Sequence, residues 1–223
     1  MIFTDKDKEK IFDRYGRRFK EHGYSQEAVG WGEKGKQDLR FKILSSYFDV
    51  KRKSILDVGA GFGDLYRFFG EDELSHYTGV ELMPEFVDEG RRKFGGRENF
   101  ELLQGNFLDI ELERSYDLVF ISGLFNFKLE NGRNYEFISE TLKKCFECCS
   151  EGVASNFVTD RVDYGEDIIF NSKPEKILSI ALDLSKNVTL RNDYFPFEFS
   201  VYINKNDNFL VEDTIFEKFK SEY

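Results

Sequence analysis

One short stretch limits this chain more than any other. Residues 54–58, Ser-Ile-Leu-Asp-Val, form an apolar run that ends in Gly59-Ala60-Gly61-Phe62-Gly63. A short apolar run bounded by glycines reads as a buried strand. Each glycine lacks a Cβ and adopts backbone angles closed to other residues, so the main chain can approach a ligand closely. A helix that starts just after the loop presents unpaired N–H groups. A strand, a glycine loop and a helix in that order form a nucleotide-type site at the carboxyl edge of a parallel sheet.

The rest of the chain fits this frame. Further strands are expected at 77–81, 100–103, 117–121 and 152–158, with helices at 64–69, 84–94 and 135–149 between them. Alternating strands and helices predict a parallel sheet covered on both faces. A helix near 175–184 precedes strands at 188–191 and 197–203. Their five-residue gap is too short for a helical crossover, so they pair antiparallel. Ahead of the first strand lie two expected helices, 5–22 with a narrow apolar stripe (Ile11, Tyr15, Phe19) and 36–48. Between them is a loop around Gly30-Trp31-Gly32. A helical extension is expected over 1–50, a binding domain over 51–204 and a tail over 205–223 with a short helix near 213–220.

Composition excludes several classes. Hydrophobic residues make up 40% of the 223 residues and 25 are Phe, enough for a packed core rather than disorder. The net charge of −10 argues against non-specific nucleic-acid binding, which needs cations to displace phosphate counterions. No run approaches the ~18 apolar residues that span a bilayer, and the N-terminus has no signal-type apolar segment. A cytoplasmic protein is expected, monomeric or a homodimer. The three cysteines, Cys145, Cys148 and Cys149, fall within a helical pattern of apolar residues and read as core thiols rather than metal ligands.

The glycine spacing separates one nucleotide from another. A dinucleotide loop, Gly-x-Gly-x-x-Gly, would need its third glycine at position 64, which is Asp64. Here it is Gly63, and Asp57 stands two positions before Gly59. Asp-x-Gly-x-Gly-x-Gly resembles motif I of the class I S-adenosylmethionine-dependent methyltransferases. Three later elements follow in the order that the resemblance implies. Glu81 ends the second strand and can accept hydrogen bonds from two ribose hydroxyls, with Leu82 beside it. Gln104-Gly105-Asn106-Phe107 follows the third strand, where the family often has Gly-Asp-hydrophobic. Asn106 keeps a donor and an acceptor for the adenine amino group, and Phe107 covers the ring. Ser122-Gly123-Leu124-Phe125-Asn126 follows the fourth strand, where the family lines the methyl-transfer site.

The resemblance implies a Rossmann-like α/β fold: a seven-stranded, mostly parallel sheet of order 3-2-1-4-5-7-6 with the last strand antiparallel. The N-terminal segment, with Ala28-Val29-Gly30-Trp31-Gly32 and Gln37-Asp38-Leu39-Arg40-Phe41, resembles a subgroup of small bacterial methyltransferases. S-adenosylmethionine is the expected cofactor, contacted by Asp57, Gly59, Ala60, Gly61, Gly63, Glu81, Leu82, Asn106, Phe107, Ser122 and Gly123. Trp31 is expected to cover the adenine or close the pocket, and Arg40 to pair with the cofactor's carboxylate.

The acceptor is less defined. Phe125, Asn126, Asp160 and Tyr164 are candidate substrate contacts, and His22, Tyr24 and Tyr194 further ones. Asp160 and Asp163 could ligate magnesium, but a solvated loop is the plainer reading, and no metal is expected. There is no Asn/Asp-Pro-Pro-Tyr/Phe after the fourth strand, unlike enzymes that methylate amino nitrogens. A small-molecule or glycan-precursor acceptor, methylated at oxygen, leads. Methylation of protein or RNA, or a non-catalytic protein that binds the cofactor, are the alternatives. A nicotinamide oxidoreductase is made remote by the glycine spacing.

Overall fold

A computed structural model describes residues 2–30, 36–70, 72–163, 165–208, 215–216 and 219–220. Seven strands form one sheet in the order β3-β2-β1-β4-β5-β7-β6. They are β1 (Ser54–Val58), β2 (His76–Glu81), β3 (Phe100–Gln104), β4 (Tyr116–Ile121), β5 (Cys149–Val158), β6 (Val188–Phe195) and β7 (Glu198–Asn204). The first five run parallel, and β7 is antiparallel to both β5 and β6. The central strands are apolar on both faces. Leu118, Val119, Phe120 and Ile121 are all fully buried, as strands covered by helices on each side must be.

The helices are α1 (Asp5–His22), α2 (Lys36–Ser45), α3 (Asp64–Phe69), α4 (Pro84–Phe94), α5 (Asn134–Glu147) and α6 (Pro174–Leu182). Helices α2, α3 and α4 cover one face, where Phe41, Leu44, Tyr66 and Val87 meet Ile55, Tyr77 and Phe120. Helices α5 and α6 cover the other, where Ile138, Leu142 and Ile177 meet Leu56, Val119 and Val153. Chain order reverses between β1 and β4, so a crevice opens at their carboxyl ends. None of the described helices is long and apolar enough to cross a membrane.

Helix α1 lies across that crevice, and its stripe supplies the reason. Phe19 packs 5.8 Å from Phe62 and 5.7 Å from Phe86, and Tyr15 lies 6.1 Å from Phe86. The start of α1 is also fixed. Asp7 accepts from the Thr4 N–H (2.9 Å) and hydroxyl (2.6 Å) in a capping box, and its other oxygen accepts from the Glu130 N–H at 2.8 Å. One buried carboxylate thus caps α1 and ties it to the segment after β4. Burial works against the charged form of Asp7, but the hydrogen bonds outweigh it and its pKa is lowered.

Three element boundaries depart from expectation. Helix α2 stops at Ser45, and Phe48 leaves the helix to pack edge-on against Tyr202 at 6.2 Å. Cys149 begins β5 rather than ending α5, because Tyr116 pairs with it across a register shift. Cys145 and Cys149 are buried in the core, as expected of small apolar thiols. Burial raises the pKa of Cys149 to about 12. Strand β6 runs on to Phe195, leaving a two-residue turn rather than a five-residue gap. Its polar stretch Asn192-Asp193-Tyr194 reads as loop, but an edge strand with an irregular register can carry it. The expected tail helix at 213–220 lies mostly outside the described residues.

Gly90 of α4 ties the fold to the crevice. A Cβ there would lie 2.5 Å from both the Phe62 carbonyl oxygen and Leu102 Cδ1. Alanine favours a helix over glycine by about 1 kcal/mol, yet backbone overlap in a packed core costs about 1–3 kcal/mol. Gly90→Ala is therefore expected to lower the urea midpoint; a higher midpoint would show that α4 can lift off the glycine loop freely.

Candidate active site

The site begins where β1 ends. Gly59 and Gly61 adopt φ of 77° and 57°, in the left-handed region that favours glycine. A Cβ on Gly59 would lie 3.1 Å from Leu124 Cδ1, and one on Gly61 would lie 3.2 Å from Val29 Cγ1. The loop is held from β2: the Gly59 and Ala60 N–H groups donate to the Val80 carbonyl at 2.9 and 3.2 Å.

Glu81 joins two loops. Its carboxylate accepts from the Gly61 N–H and the Met83 N–H, each at 2.8 Å. Burial raises its pKa, and these backbone donors pull it back. Asp57 is buried at the end of β1 and accepts from the Tyr77 hydroxyl at 2.6 Å. Burial pushes its pKa up to about 7; the Tyr77 bond opposes this, while nearby Glu81 and Asp64 add to it. The carboxyl ends of β1 and β2 therefore bring two acidic groups to one wall of a single cavity.

The other expected cofactor residues surround the same cavity. Asn106 lines it, and its side chain closes a turn by donating to Asp109 at 2.9 Å. Phe107 lines it as a buried wedge, with the Lys144 ammonium 4.8 Å from the ring centroid. Ser122, Gly123 and Leu82 line it as well. The Gly123 N–H is fixed by Asn156 Oδ1 at 2.8 Å. The Ser122 hydroxyl oxygen is buried without a hydrogen-bond partner among the described residues. Gly63 caps the start of α3 and is not part of the lining.

The acceptor candidates divide. Asn126 lines the cavity and accepts from the Val158 N–H at 3.3 Å. Phe125 points into the core instead, stacked 5.2 Å from Phe157 and edge-on to Phe137. Asp160 lies outside the lining, 3.6 Å from Arg161. Tyr194 bonds to Ser200, and Tyr24 donates to Asp64 under the Lys93 ammonium; neither lines the cavity. Trp31 and Tyr164 lie outside the described residues.

Arg40 requires a correction. It does not line the cavity. Its guanidinium is 5% exposed and donates to Glu198 at 2.6 Å, with the Phe195 ring centroid 5.0 Å away. A cation so buried must be paired, and β7 supplies the partner. Glu198 also accepts from Asn156 at 2.8 Å, so the chain Arg40-Glu198-Asn156 ends at the Gly123 N–H.

Part of the lining has no motif in the sequence. Ile11, Arg14 and Tyr15 of α1, Val29 before α2, and Gln37 and Phe41 of α2 all face the cavity. The α1 stripe was the signal for the first group. Gln37 is 5% exposed, and its carbonyl oxygen has no hydrogen-bond partner among the described residues.

Comparison with known proteins gives this geometry a family. A model described as a methyltransferase domain matches residues 55–152, which run from β1 into β5. A protein of Mycobacterium tuberculosis (strain ATCC 25618 / H37Rv) named "Putative methyltransferase Rv1506c" is 28% identical over 159 residues. The match covers 68% of this chain and 93% of that protein. The chain carries a methyltransferase domain of the S-adenosylmethionine-dependent kind. Its fold is shared with magnesium protoporphyrin IX methyltransferase from Synechocystis PCC 6803, solved with SAH bound. That match has 13% identity and a TM-score of 0.61, covering 90% of this chain and 96% of the other. The CcbJ methyltransferase from Streptomyces caelestis is similar at 14% identity and a TM-score of 0.61, covering 86% and 98%.

The residues present fit the methyltransferase cofactor. A Cβ on Gly59 or Gly61 would crowd the cradle, the Glu81 carboxylate lines the same space, and Ser122 and Gln37 offer polar atoms with no partner among the described residues. Asp57 is expected to make the stability of the protein depend on pH. Its folded pKa of about 7 lies above the ordinary 3.8. The stabilising effect of its proton is complete below about 3.8 and is lost as pH rises through about 7. The difference in stability between Asp57→Asn and the parent should therefore grow in favour of the variant from pH 5 to 7, by up to about 1.4 kcal/mol per pH unit. Denaturant titrations at pH 5, 6 and 7 check this; a constant difference would mean that Asp57 stays ionised throughout.

Proposed function

We propose that this methyltransferase transfers its methyl group to an oxygen of a small molecule, with the N-terminal extension serving as a lid. The observation that carries the reading is the roof of the cavity. Side chains from α1, α2 and the segment after β4 line the same space as the glycine loop. A roof of this kind suits an acceptor that enters whole better than a polymer laid across an open groove. The sequence Ser122-Gly123-Leu124-Phe125, in place of an Asn/Asp-Pro-Pro-Tyr/Phe motif, supports oxygen over an amino nitrogen.

Bound S-adenosylmethionine supplies an electrophilic methyl group: an acceptor lone pair forms the new bond to carbon while the carbon–sulfur pair stays on sulfur. The protein contributes position and exclusion of water. Glu81 would hold the ribose, Asn106 and Phe107 the adenine, and Asp57 the loop between them. Ser122 would donate its hydroxyl hydrogen bond near the point of transfer.

The test uses radiolabelled S-adenosylmethionine with the purified protein. Label should enter the small-molecule fraction of a cell extract as base-labile or ether products. Label confined to protein or RNA would overturn the reading.

A further inference from the structure

We propose that the methyl acceptor has an apolar, ring-sized body and a single ionisable oxygen, and that Phe3, Phe127, Leu129, Phe137 and Ile169 hold the body. This rests on the methyltransferase reading and adds the chemistry of its substrate. All five side chains line the cavity that contains the glycine loop. They come from four separate places: ahead of α1 (Phe3), between β4 and α5 (Phe127, Leu129), within α5 (Phe137), and between β5 and α6 (Ile169).

These stretches are locked to one another. Phe127 and Ile169 form an antiparallel bridge, the Lys128 N–H donates to the Ile168 carbonyl at 3.0 Å, and the Phe170 N–H donates to the Asn126 carbonyl at 2.9 Å. The Phe3 ring stacks on Phe137 at 5.9 Å. The Leu129 N–H donates to Asn134 at 3.0 Å. The wall is thus preformed, and much of its backbone hydrogen bonding is already satisfied within it. What it offers a ligand is carbon surface.

Apolar area removed from water contributes about 25 cal/mol per Å². A sugar or other polyol placed here would give up hydration without gaining partners. Polar capacity is concentrated elsewhere in the cavity. Ser122, at the end of β4, has a buried hydroxyl oxygen without a hydrogen-bond partner among the described residues, and Arg14 of α1 lines the same space. A hydroxyl donor and a cation suit a carboxylate or phenolate oxygen. Such an oxygen attacks the methyl carbon as it stands, with no proton to remove.

Calorimetry with 2-naphthoate and 2-naphthol on the SAH-loaded protein tests this, with glucose 6-phosphate as the polar control. At least one naphthyl compound should bind, and Phe127→Ser and Ile169→Asp should each weaken it tenfold or more. Both residues are only half-buried, and Phe127→Leu and Ile169→Val should restore most of the binding. SAH affinity should change less than threefold in all four variants. The proposal fails if neither naphthyl compound binds, if glucose 6-phosphate binds as tightly, or if the substitutions leave binding unchanged. If SAH itself does not bind the parent protein, the methyltransferase reading fails, and this proposal with it.

Discussion

Glu81→Ala is expected to weaken SAH binding by about 100- to 10,000-fold in calorimetry. A hydrogen bond to a charged group contributes about 1.5–3 kcal/mol, and two ribose hydroxyls would be lost at once. The effect reaches beyond the ligand. The carboxylate also holds the N–H groups of Gly61 and Met83, each at 2.8 Å. Without it two backbone donors lose their acceptor, and the glycine loop loses its tie to the segment after β2. Glu81→Gln keeps one acceptor oxygen and should fall between parent and alanine. An alanine variant within threefold of the parent would show that the ribose is held by other groups.

Arg40→Ala should produce the largest loss of stability, about 3–5 kcal/mol, the usual cost of leaving a buried charge without its partner. The stranded group is Glu198, which is 2% exposed. Burial already raises its pKa, and Arg40 is the main influence holding it down. Removing Arg40 raises it further. A raised carboxyl pKa means stability that is present at low pH and lost as pH rises. The deficit of Arg40→Ala relative to the parent should therefore shrink toward pH 5 and widen toward pH 8. Arg40→Met combined with Glu198→Gln, which leaves no buried charge, should recover most of the loss. Chemical denaturation at both pH values measures all three proteins. A deficit independent of pH would mean that the loss comes from packing rather than charge. The same pair ends at Gly123 through Asn156, so Arg40 bears on the site only at a distance.

The contrast between these two residues shows what could be read in advance. The place of Glu81 on the cavity was legible because it follows from local order: a strand, a glycine loop, and a carboxylate at the end of the next strand. The sheet order was legible too, since the family's motifs occur in sequence and strand–helix alternation leaves few topologies. Arg40 was misread because its partner is 158 positions away. No local pattern connects a helix near the N-terminus to a glutamate on the last strand. Phe125 was misplaced for a related reason. It sits among cavity residues in sequence, but the short helical turn Leu124–Asn126 directs it into the core.

The glycine loop thus stands on sequence alone, since positive φ and close approach are demands made at single residues. The sequence likewise carried the positions of Asp57 and Glu81 on the cavity and the methyltransferase character of the domain. The tertiary structure decided where the buried Arg40 finds its counter-charge and how far β6 extends. It also decided which side chains from residues 3, 129 and 169 meet around one space. Those outcomes depend on desolvation and packing between segments distant in the chain, and neither has a period or a motif.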